Sequence, residues 1–286
     1  MTEYSAARGI LLTLAYDGTD FHGYQRQAGL RTVQEVVEAA IVRVDSGAST
    51  LRACSRTDAG VHALDQKVAF TATRPIPAFA YMREIERYLP RDVAVVAAEE
   101  RPLGYDPRFD AKEKTYHYRV RVGRARDPLR DRTHLHLHRG MHRKGVPLDC
   151  SDVSVCLSLD AMREAASLLV GTHDFAAFRA AGDARRTTVR TIHELRVERE
   201  EGTNDCVRFV VRGSSFMKHM VRILSGTLLE VGREHHAPSW VSGMLEPGRD
   251  RHAAGPTAPP QGLVLVSVVL GRLEQREQRE QLGSEA

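Results

Sequence analysis

Apolar residues in the first hundred positions follow two spacings, one typical of helices and one typical of strands. Between residues 33 and 44 they recur three and four positions apart, which places them on one face of a helix. Thr32 precedes this run and Glu35 follows three residues later, a capping box that marks the start of the helix. A second helix is predicted over residues 77–89. Short apolar runs bounded by turn residues predict strands over residues 10–16, 51–54, 67–71 and 93–98.

The same alternation of strand and helix patterns starts again after residue 110. In a strand predicted over residues 115–122, Tyr116 and Tyr118 share one face and His117 points to the other. Residues 149–155 are polar without clear periodicity and are predicted to form a linker. Helices are predicted over residues 160–170, closed by Gly171, and over residues 217–231. Further strands are predicted over residues 133–138, 189–199, 207–211 and 263–270.

Strands and helices therefore interleave twice, which is typical of α+β folds and predicts two halves of ferredoxin-like type. We expect an N-terminal half at residues 1–110 and a C-terminal half at residues 111–270. Residues 271–286 are expected to form a disordered tail, because the last twelve positions are charged and have no apolar anchors. No apolar run approaches the roughly 18 residues that a membrane span needs.

The composition is that of an ordinary soluble globular protein, with 42% hydrophobic and 27% charged residues among 286. The net charge of +4 is a weak indication of an anionic partner. Most of the cations are arginines, which suit phosphate binding but also follow from a GC-rich genome. The first nine residues lack the apolar run of a secretory signal, so we expect a cytoplasmic location. The four cysteines are scattered without a CxxC pair, so neither a zinc site nor disulfides are expected.

Three histidines, His134, His136 and His138, share one face of the strand predicted over residues 133–138. Such a strand can bind zinc or copper. No carboxylate or cysteine lies close in sequence to complete a site. We therefore assign these histidines to a solvated surface, and we predict no metal and no cofactor.

The polar stretch SRTDAGVHALDQ, at residues 55–66, lies between two apolar runs and predicts a strand, a tight loop and a second strand. Asp58 is at the apex of the loop, between Arg56 and Gly60, and a glycine there permits the positive φ of a sharp turn. A neighbouring arginine favours the ionised form of the carboxylate. An ionised, exposed carboxylate can act as a nucleophile or a base. Equally, Asp58 can cap the turn and pair with Arg56 for structure alone.

Residues 56–63, RTDAGVHA, resemble the catalytic motif of the tRNA pseudouridine synthase A family, in which the aspartate is the nucleophile. Six other segments resemble family segments in the family's order, so the resemblance runs from about residue 9 to about residue 270. Ser55 stands where a glycine is common and Tyr24 where a tryptophan is common, and neither change removes a group that the reaction needs. The six segments are YDGTDFHGYQRQ (16–27), RTVQEVVEAA (31–40), RFDAKEKTYHYRV (108–120), GTHDFAAFRA (171–180), FMKHMVRILSGTLLEVGR (216–233) and GPTAPPQGLVLVSV (255–268).

The resemblance implies an α+β fold in which two ferredoxin-like, or RRM-like, halves share a mixed, mostly antiparallel sheet. Helices are then expected on one side of the sheet, and a central RNA-binding cleft between the halves. The implied activity is an isomerase that converts uridine to pseudouridine at positions 38, 39 and 40 in the anticodon stem-loop of tRNA. The family implies a homodimer that uses neither metal nor cofactor.

The resemblance also implies a role for individual residues. Asp58 corresponds to the nucleophile, and Tyr116 to the tyrosine that stacks on the target uracil. Arg222 corresponds to the arginine that pairs with the aspartate from across the cleft, and Leu263 to an apolar wall. Arg56 corresponds to the residue that enters the RNA stem where the base was. Candidate contacts to the RNA backbone are Arg108, Phe109, Arg185 and Arg186.

Other functions are compatible with parts of the sequence. A non-catalytic RNA-binding module would use the tyrosine-bearing strands for stacking, but the RNP1 pattern of such domains is missing. A metal-dependent nuclease needs clustered carboxylates, and this region supplies Asp58 and Asp65 alone. A glycoside hydrolase needs two opposed carboxylates, of which one is well marked. A pseudouridine synthase of the same superfamily with a different RNA target also stays open.

Overall fold

The computed structural model describes residues 7–138, 142–147, 150–183 and 185–271. The predicted tail lies, from residue 272 onward, outside the described residues. Strands run over β1 Arg8–Tyr16, β2 Arg52–Ala53, β3 His62–Ala72, β4 Val93–Arg101, β5 Ala111–Val122, β6 Leu135–Leu137, β7 Gly171–Asp174, β8 Val189–Arg199, β9 Cys206–Gly213 and β10 Leu263–Leu270. Helices run over α1 Val33–Val44, α2 Ala78–Glu86, α3 Pro107–Asp110, α4 Val153–Cys156, α5 Leu159–Leu168, α6 Met220–Gly232 and α7 Trp240–Gly243.

All ten described strands belong to one sheet, in the order β4-β1-β3-β10-β5-β9-β8-β7, with β2 paired to β3 and β6 paired to β5. The first four strands and α1 and α2 follow one another as β-α-β-β-α-β, which is a ferredoxin-like unit. The last strand, β10, joins this unit to the rest of the sheet. It pairs parallel with β3 over two residue pairs, Val264 with His62 and Leu265 with Ala63, and antiparallel with β5 along its length.

The four longest helices, α1, α2, α5 and α6, cover one face of the sheet. Ile10, Leu12 and Leu14 of β1 are buried in the main core together with the apolar faces of α1, α2, α5 and α6. Leu11, which points to the opposite face, packs in a small separate cluster that includes Tyr105. The prediction of an α+β fold with a mixed, mostly antiparallel sheet is therefore confirmed.

The sequence signals for α1 act as predicted. The hydroxyl of Thr32 accepts a hydrogen bond from the backbone N–H of Glu35 at 3.4 Å, and the helix begins at the next residue, Val33. The helix ends at Val44, and the backbone N–H of the C-cap residue, Asp45, donates to the carbonyl of Ile41. The Asp45 carboxylate turns back to accept hydrogen bonds from the segment that leads into α2, so α1 and α2 are tied together at this end.

Several predicted boundaries are wrong for local reasons. Helix α6 begins three residues later than predicted, because His219 adopts a left-handed backbone with φ of 60° and interrupts the helix. Helix α5 ends at Leu168, and Gly171, predicted to close it, is the first residue of β7. The predicted linker contains the one-turn helix α4, which the carboxylate of Asp152 caps by accepting from the N–H of Ser154 at 2.8 Å.

The prediction that no disulfide forms is wrong for one pair of cysteines. Cys150 and Cys156, on either side of the start of α4, are paired as a disulfide. Cys54 and Cys206 are free thiols and both are buried. Among the described residues, no helix combines the length and the apolar character that crossing a membrane would require.

Candidate active site

The loop between β2 and β3 is held from both sides so that Asp58 projects from it. The backbone carbonyl of Thr57 accepts a hydrogen bond from the N–H of Tyr24 at 3.0 Å, and the Thr57 hydroxyl lies 2.8 Å from the hydroxyl of Tyr16. The carbonyl of Asp58 accepts from the N–H of Val61 at 3.1 Å, which closes the turn. Gly60 has φ of +76°, as the sequence predicted for a sharp turn at this position.

The two carboxylate oxygens of Asp58 face different residues at the start of α6, far away in the sequence. Nη1 of Arg222 donates to Oδ2 at 3.2 Å, and Nε2 of His219 lies 3.6 Å from Oδ1. The Asp58 side chain keeps 25% of its surface exposed, so a ligand in the cleft can reach it. Adjacency in sequence predicted that Arg56 pairs with Asp58. In the structure the ion pairs described for Asp58 involve Arg222 and His219, and the Arg56 side chain is exposed.

The guanidinium of Arg222 is fixed at two points. Its Nε donates to the backbone carbonyl of Ala258 at 2.8 Å while Nη1 holds Asp58. The N–H of Ala258 in turn donates to the carbonyl of Arg222 at 3.0 Å, so the segment before β10 clamps the start of α6. A charged donor held in this way makes an oriented, charge-assisted hydrogen bond to a carboxylate. The expected pairing across the cleft is present in the geometry.

Tyr116 and Leu263 line the same cleft as Asp58. The Tyr116 hydroxyl lies 3.1 Å from Oγ of Ser55, and its ring packs edge-on against Phe216 with 5.2 Å between ring centroids. Burial raises the pKa of Tyr116 to about 12, so the phenol is protonated at neutral pH. Tyr118, on the same strand face, is fully buried and donates to the carbonyl of Pro259 at 2.9 Å. One tyrosine therefore lines the cleft and its neighbour packs beneath it.

The cleft between the two halves has a volume of about 800 Å³ and a cationic lining. Its charged walls carry Asp58 and Asp183 against a larger set of cations, namely Arg56, Arg108, Lys114, Arg185, Arg190, Lys218 and Arg222. Low-dielectric walls that carry one predominant sign of charge concentrate ligands of the opposite sign. The cleft therefore suits an anionic ligand large enough to reach several of these cations at once.

The predicted RNA-backbone residues do not all come together. Arg108 and Arg185 line the cleft, and Nη1 of Arg185 donates to the carbonyl of Phe216 at 2.8 Å. Phe109 and Arg186 lie outside the cleft lining, and Phe109 is 70% exposed on α3.

Four basic residues of the cleft were not among the predicted site residues, namely Lys114, Arg190, Lys218 and His219. Two of them carried a usable signal. Lys114 lies two residues before Tyr116 and therefore on the same face of β5, and its Nζ donates to the carbonyl of Cys54 at 2.7 Å. His219 lies three residues before Arg222, at the spacing that places two side chains on one helix face.

The surface assignment of the three histidines is wrong for His134, which is buried, and holds for His138, which is exposed. Nε2 of His134 lies 3.3 Å from Oε2 of Glu200, a residue far away in sequence. Together with Sγ of Cys206, these side chains form the single group of possible metal ligands found in the described part of the chain, within 4.8 Å of one another.

Two arginines approach the side chains of Glu200 and Cys206. Nε of Arg119 lies 3.3 Å from Oε1 of Glu200, and Nη1 of Arg130 donates to Sγ of Cys206 at 3.4 Å. The hydrogen bond from His134 lowers the pKa of the Glu200 carboxyl, so its charge is already matched by cations of the protein. This arrangement is that of a partly buried ion-pair network. The absence of a metal requirement stays a prediction.

Comparison with known proteins gives a consistent result. The model of a family described as tRNA pseudouridine synthase matches residues 13–110 and 165–269. The chain is 44% identical over 257 residues to a tRNA pseudouridine synthase A of Myxococcus xanthus, covering 90% of each chain. It is 43% identical over 262 residues to that of Geobacter sulfurreducens and 41% identical over 261 residues to that of Geotalea uraniireducens. Each of these last two matches covers 91% of this chain and 99% of the relative.

Proposed function

This chain belongs to the tRNA pseudouridine synthase family, and we propose that it isomerises uridine to pseudouridine at positions 38, 39 and 40 in the anticodon stem-loop of tRNA. The observation that carries the proposal is the Asp58 carboxylate, bound by Arg222 and open to a cationic cleft. The relatives with the name tRNA pseudouridine synthase A supply the substrate class.

The reaction moves the bond at C1′ of the ribose from N1 to C5 of the same uracil. C5 loses a proton and N1 gains one. The product therefore has the same atoms as the substrate, and the reaction is an isomerisation. Asp58 is the nucleophile, and its attack is directed at C1′ of the ribose or at C6 of the uracil. Attack at C1′ breaks the bond to N1 and forms an ester, which C5 of the detached uracil then displaces. Attack at C6 forms an adduct, and the carboxylate is eliminated after the C1′–N1 bond has broken and the C1′–C5 bond has formed. The guanidinium of Arg222 keeps the carboxylate oriented, and an ion held in place before the reaction costs no reorganisation during it.

The target base must leave its stack before Asp58 can reach it, because the reacting atoms are enclosed in a paired stem. In the proposed complex the uracil packs on the ring of Tyr116, with Leu263 and Phe216 as further apolar walls. These walls exclude the water that would otherwise trap the separated base. Because the Tyr116 phenol is protonated at neutral pH, we assign it to packing and to its contact with Ser55.

The cations that line the cleft bind the RNA backbone in this proposal. Phosphate contacts position the RNA without reading its sequence. Arg56 enters the stem at the place that the flipped base has left, and Arg108 and Arg185 hold the flanking phosphates. Phe109 and Arg186, which lie outside the cleft, contact RNA beyond the target nucleotide. We further propose that the protein is a cytoplasmic homodimer, as its family resemblance implies.

Mapping of pseudouridine in tRNA from a strain that lacks this gene tests the proposal. We expect pseudouridine to disappear at positions 38–40, and to return with the wild-type gene but not with Asp58→Ala. In vitro, Asp58→Ala should abolish tritium release from C5-labelled tRNA and keep tRNA affinity within about tenfold, because phosphate contacts supply most of the affinity. Loss of pseudouridine at other RNA positions would indicate a different target. Substantial turnover by the alanine variant would exclude Asp58 as the nucleophile.

A further inference from the structure

His219 combines an unusual backbone with a position beside Asp58. Its φ of 60° and ψ of 2° place it in the left-handed region, which costs side-chain-bearing residues free energy. Positive φ occurs at one further non-glycine residue in the described part of the chain. This residue is Glu234, which lies just beyond the opposite end of α6. His219 occupies the N-cap of α6, yet its side chain makes no capping hydrogen bond to the helix. The usual reason for a polar residue at this position is therefore missing.

The left-handed turn places the imidazole in the cleft rather than over the helix end. Nε2 of His219 lies 3.6 Å from Oδ1 of Asp58, and Nη1 of Arg222 lies 3.2 Å from Oδ2. His219 is the N-cap residue of α6, and Arg222 lies three positions later in the first turn of the helix. Each oxygen of the carboxylate therefore has its own neighbour at the start of α6.

Burial, assisted by neighbouring cations, favours a neutral imidazole at His219. Burial lowers the pKa of His219, and the nearby cations Arg222, Lys218 and Arg251 lower it further, against the opposite effect of Asp58. A neutral imidazole with its proton on Nε2 can donate one hydrogen bond to Asp58 without adding a positive charge that competes with Arg222.

We propose that His219 is a positioning residue that holds Oδ1 of Asp58 while Arg222 holds Oδ2. A carboxylate fixed at both oxygens cannot rotate about its Cβ–Cγ bond, so it presents one orientation to the uridine. At 3.6 Å the contact is longer than a hydrogen bond, and it shortens when tRNA fills the cleft, because catalytic contacts tighten in the substrate complex. The inference rests on the proposed function, in which Asp58 is the nucleophile.

Two substitutions separate the imidazole from the backbone that carries it. In His219→Gly the left-handed φ is accepted without strain, so the melting temperature should not fall. The contact to Oδ1 is lost, and kcat should fall on the order of tenfold, as expected when a reacting group loses its orientation. KM for tRNA should stay within about twofold, because the imidazole contacts no phosphate in this proposal. In His219→Gln an amide N–H reaches the same distance, and kcat should recover to within about threefold of the wild type.

Glu234→Gly is the matched control. Glu234 has the same φ of 60° but lies just beyond the other end of α6, where its side chain pairs with Arg143 at 3.1 Å. We expect its kcat to equal that of the wild type. A wild-type kcat for His219→Gly, or a glutamine variant no faster than the glycine variant, would overturn the inference. Turnover by Asp58→Ala would instead contradict the proposed function, so the two failures are distinguishable.

Discussion

Replacing Arg222 by methionine removes a charge that is bound at two points and leaves a side chain of similar length. The lost contacts are the 3.2 Å hydrogen bond from Nη1 to Oδ2 of Asp58 and the 2.8 Å hydrogen bond from Nε to the carbonyl of Ala258. A hydrogen bond between charged groups contributes about 1.5–3 kcal/mol. If that contribution acts on the transition state, kcat falls by about tenfold to hundredfold, since about 1.4 kcal/mol corresponds to a factor of ten.

The Coulomb attraction between Arg222 and Asp58 is larger than the contribution of about 1.5–3 kcal/mol used above for the hydrogen bond. At 3.2 Å and an effective dielectric constant of about 20, two unit charges attract by about 5 kcal/mol. The Asp58 side chain is 25% exposed, so water solvates the carboxylate in the variant and replaces part of the lost attraction. We therefore use the smaller estimate of about 1.5–3 kcal/mol. Arg222→Lys keeps the charge but has one nitrogen for two acceptors, so its kcat should lie between those of the wild type and the methionine variant.

The assay is tritium release from C5-labelled tRNA at saturating substrate, with tRNA affinity measured in parallel. Arg196→Met is a suitable control, because Arg196 is an arginine of β8 that pairs with Glu194 and Glu198 outside the cleft. It should turn over at the wild-type rate. A folded Arg222→Met variant with a similar rate would refute the reasoning, and Arg222 would then be a helix charge without a role in orienting Asp58.

Two further predictions concern stability and metal. Burial opposes ionisation of Asp45, but hydrogen bonds from Thr73 and Tyr81 outweigh it and lower its pKa to about 2. Asp45→Asn should therefore cost on the order of 2 kcal/mol of unfolding free energy at pH 7. This difference in unfolding free energy should shrink as the pH falls from about 4 to about 2, because Asp45 of the wild type becomes protonated and its stabilising contribution is lost. Urea denaturation at several pH values measures the difference, and a difference that does not change with pH would contradict the prediction. Activity should survive prolonged EDTA, because no proposed step needs a Lewis acid, whereas loss rescued by zinc would implicate His134 and Cys206.

Local periodicity was sufficient to predict most of the elements. The limits of β10 match the apolar run at residues 263–270, and the capping box placed the start of α1 correctly. The position of β10 in the sheet could not be obtained this way. Its apolar residues indicate a buried strand but carry no information about its neighbours. Its placement between β3 and β5 depends on backbone pairing with residues that are about 200 positions away in β3 and about 150 positions away in β5.

The candidate site shows the same limit at the level of side chains. The resemblance gave Asp58, Tyr116 and Arg222, and the structure brings all three to one cleft. Adjacency in sequence gave Arg56 as the neighbour of Asp58, and that expectation is wrong because the loop directs the carboxylate toward α6. The spacing of His219 from Arg222 was a signal that could have been used, but its approach to Asp58 also depends on a left-handed backbone, which no helical periodicity predicts.

The distance between Asp58 and Arg222 depends on how closely the segment before β10 approaches both halves. A Cβ at Gly60 would lie 2.9 Å from Cγ of Pro260, and a Cβ at Gly262 would lie 2.7 Å from the carbonyl of Arg119. Neither site has room for a side chain, so the segment packs directly against the Asp58 loop on one side and β5 on the other. The same segment accepts the Nε hydrogen bond of Arg222 through Ala258. The segment before β10 thus sets the positions of the nucleophile and of its counter-ion together, although neither residue belongs to it.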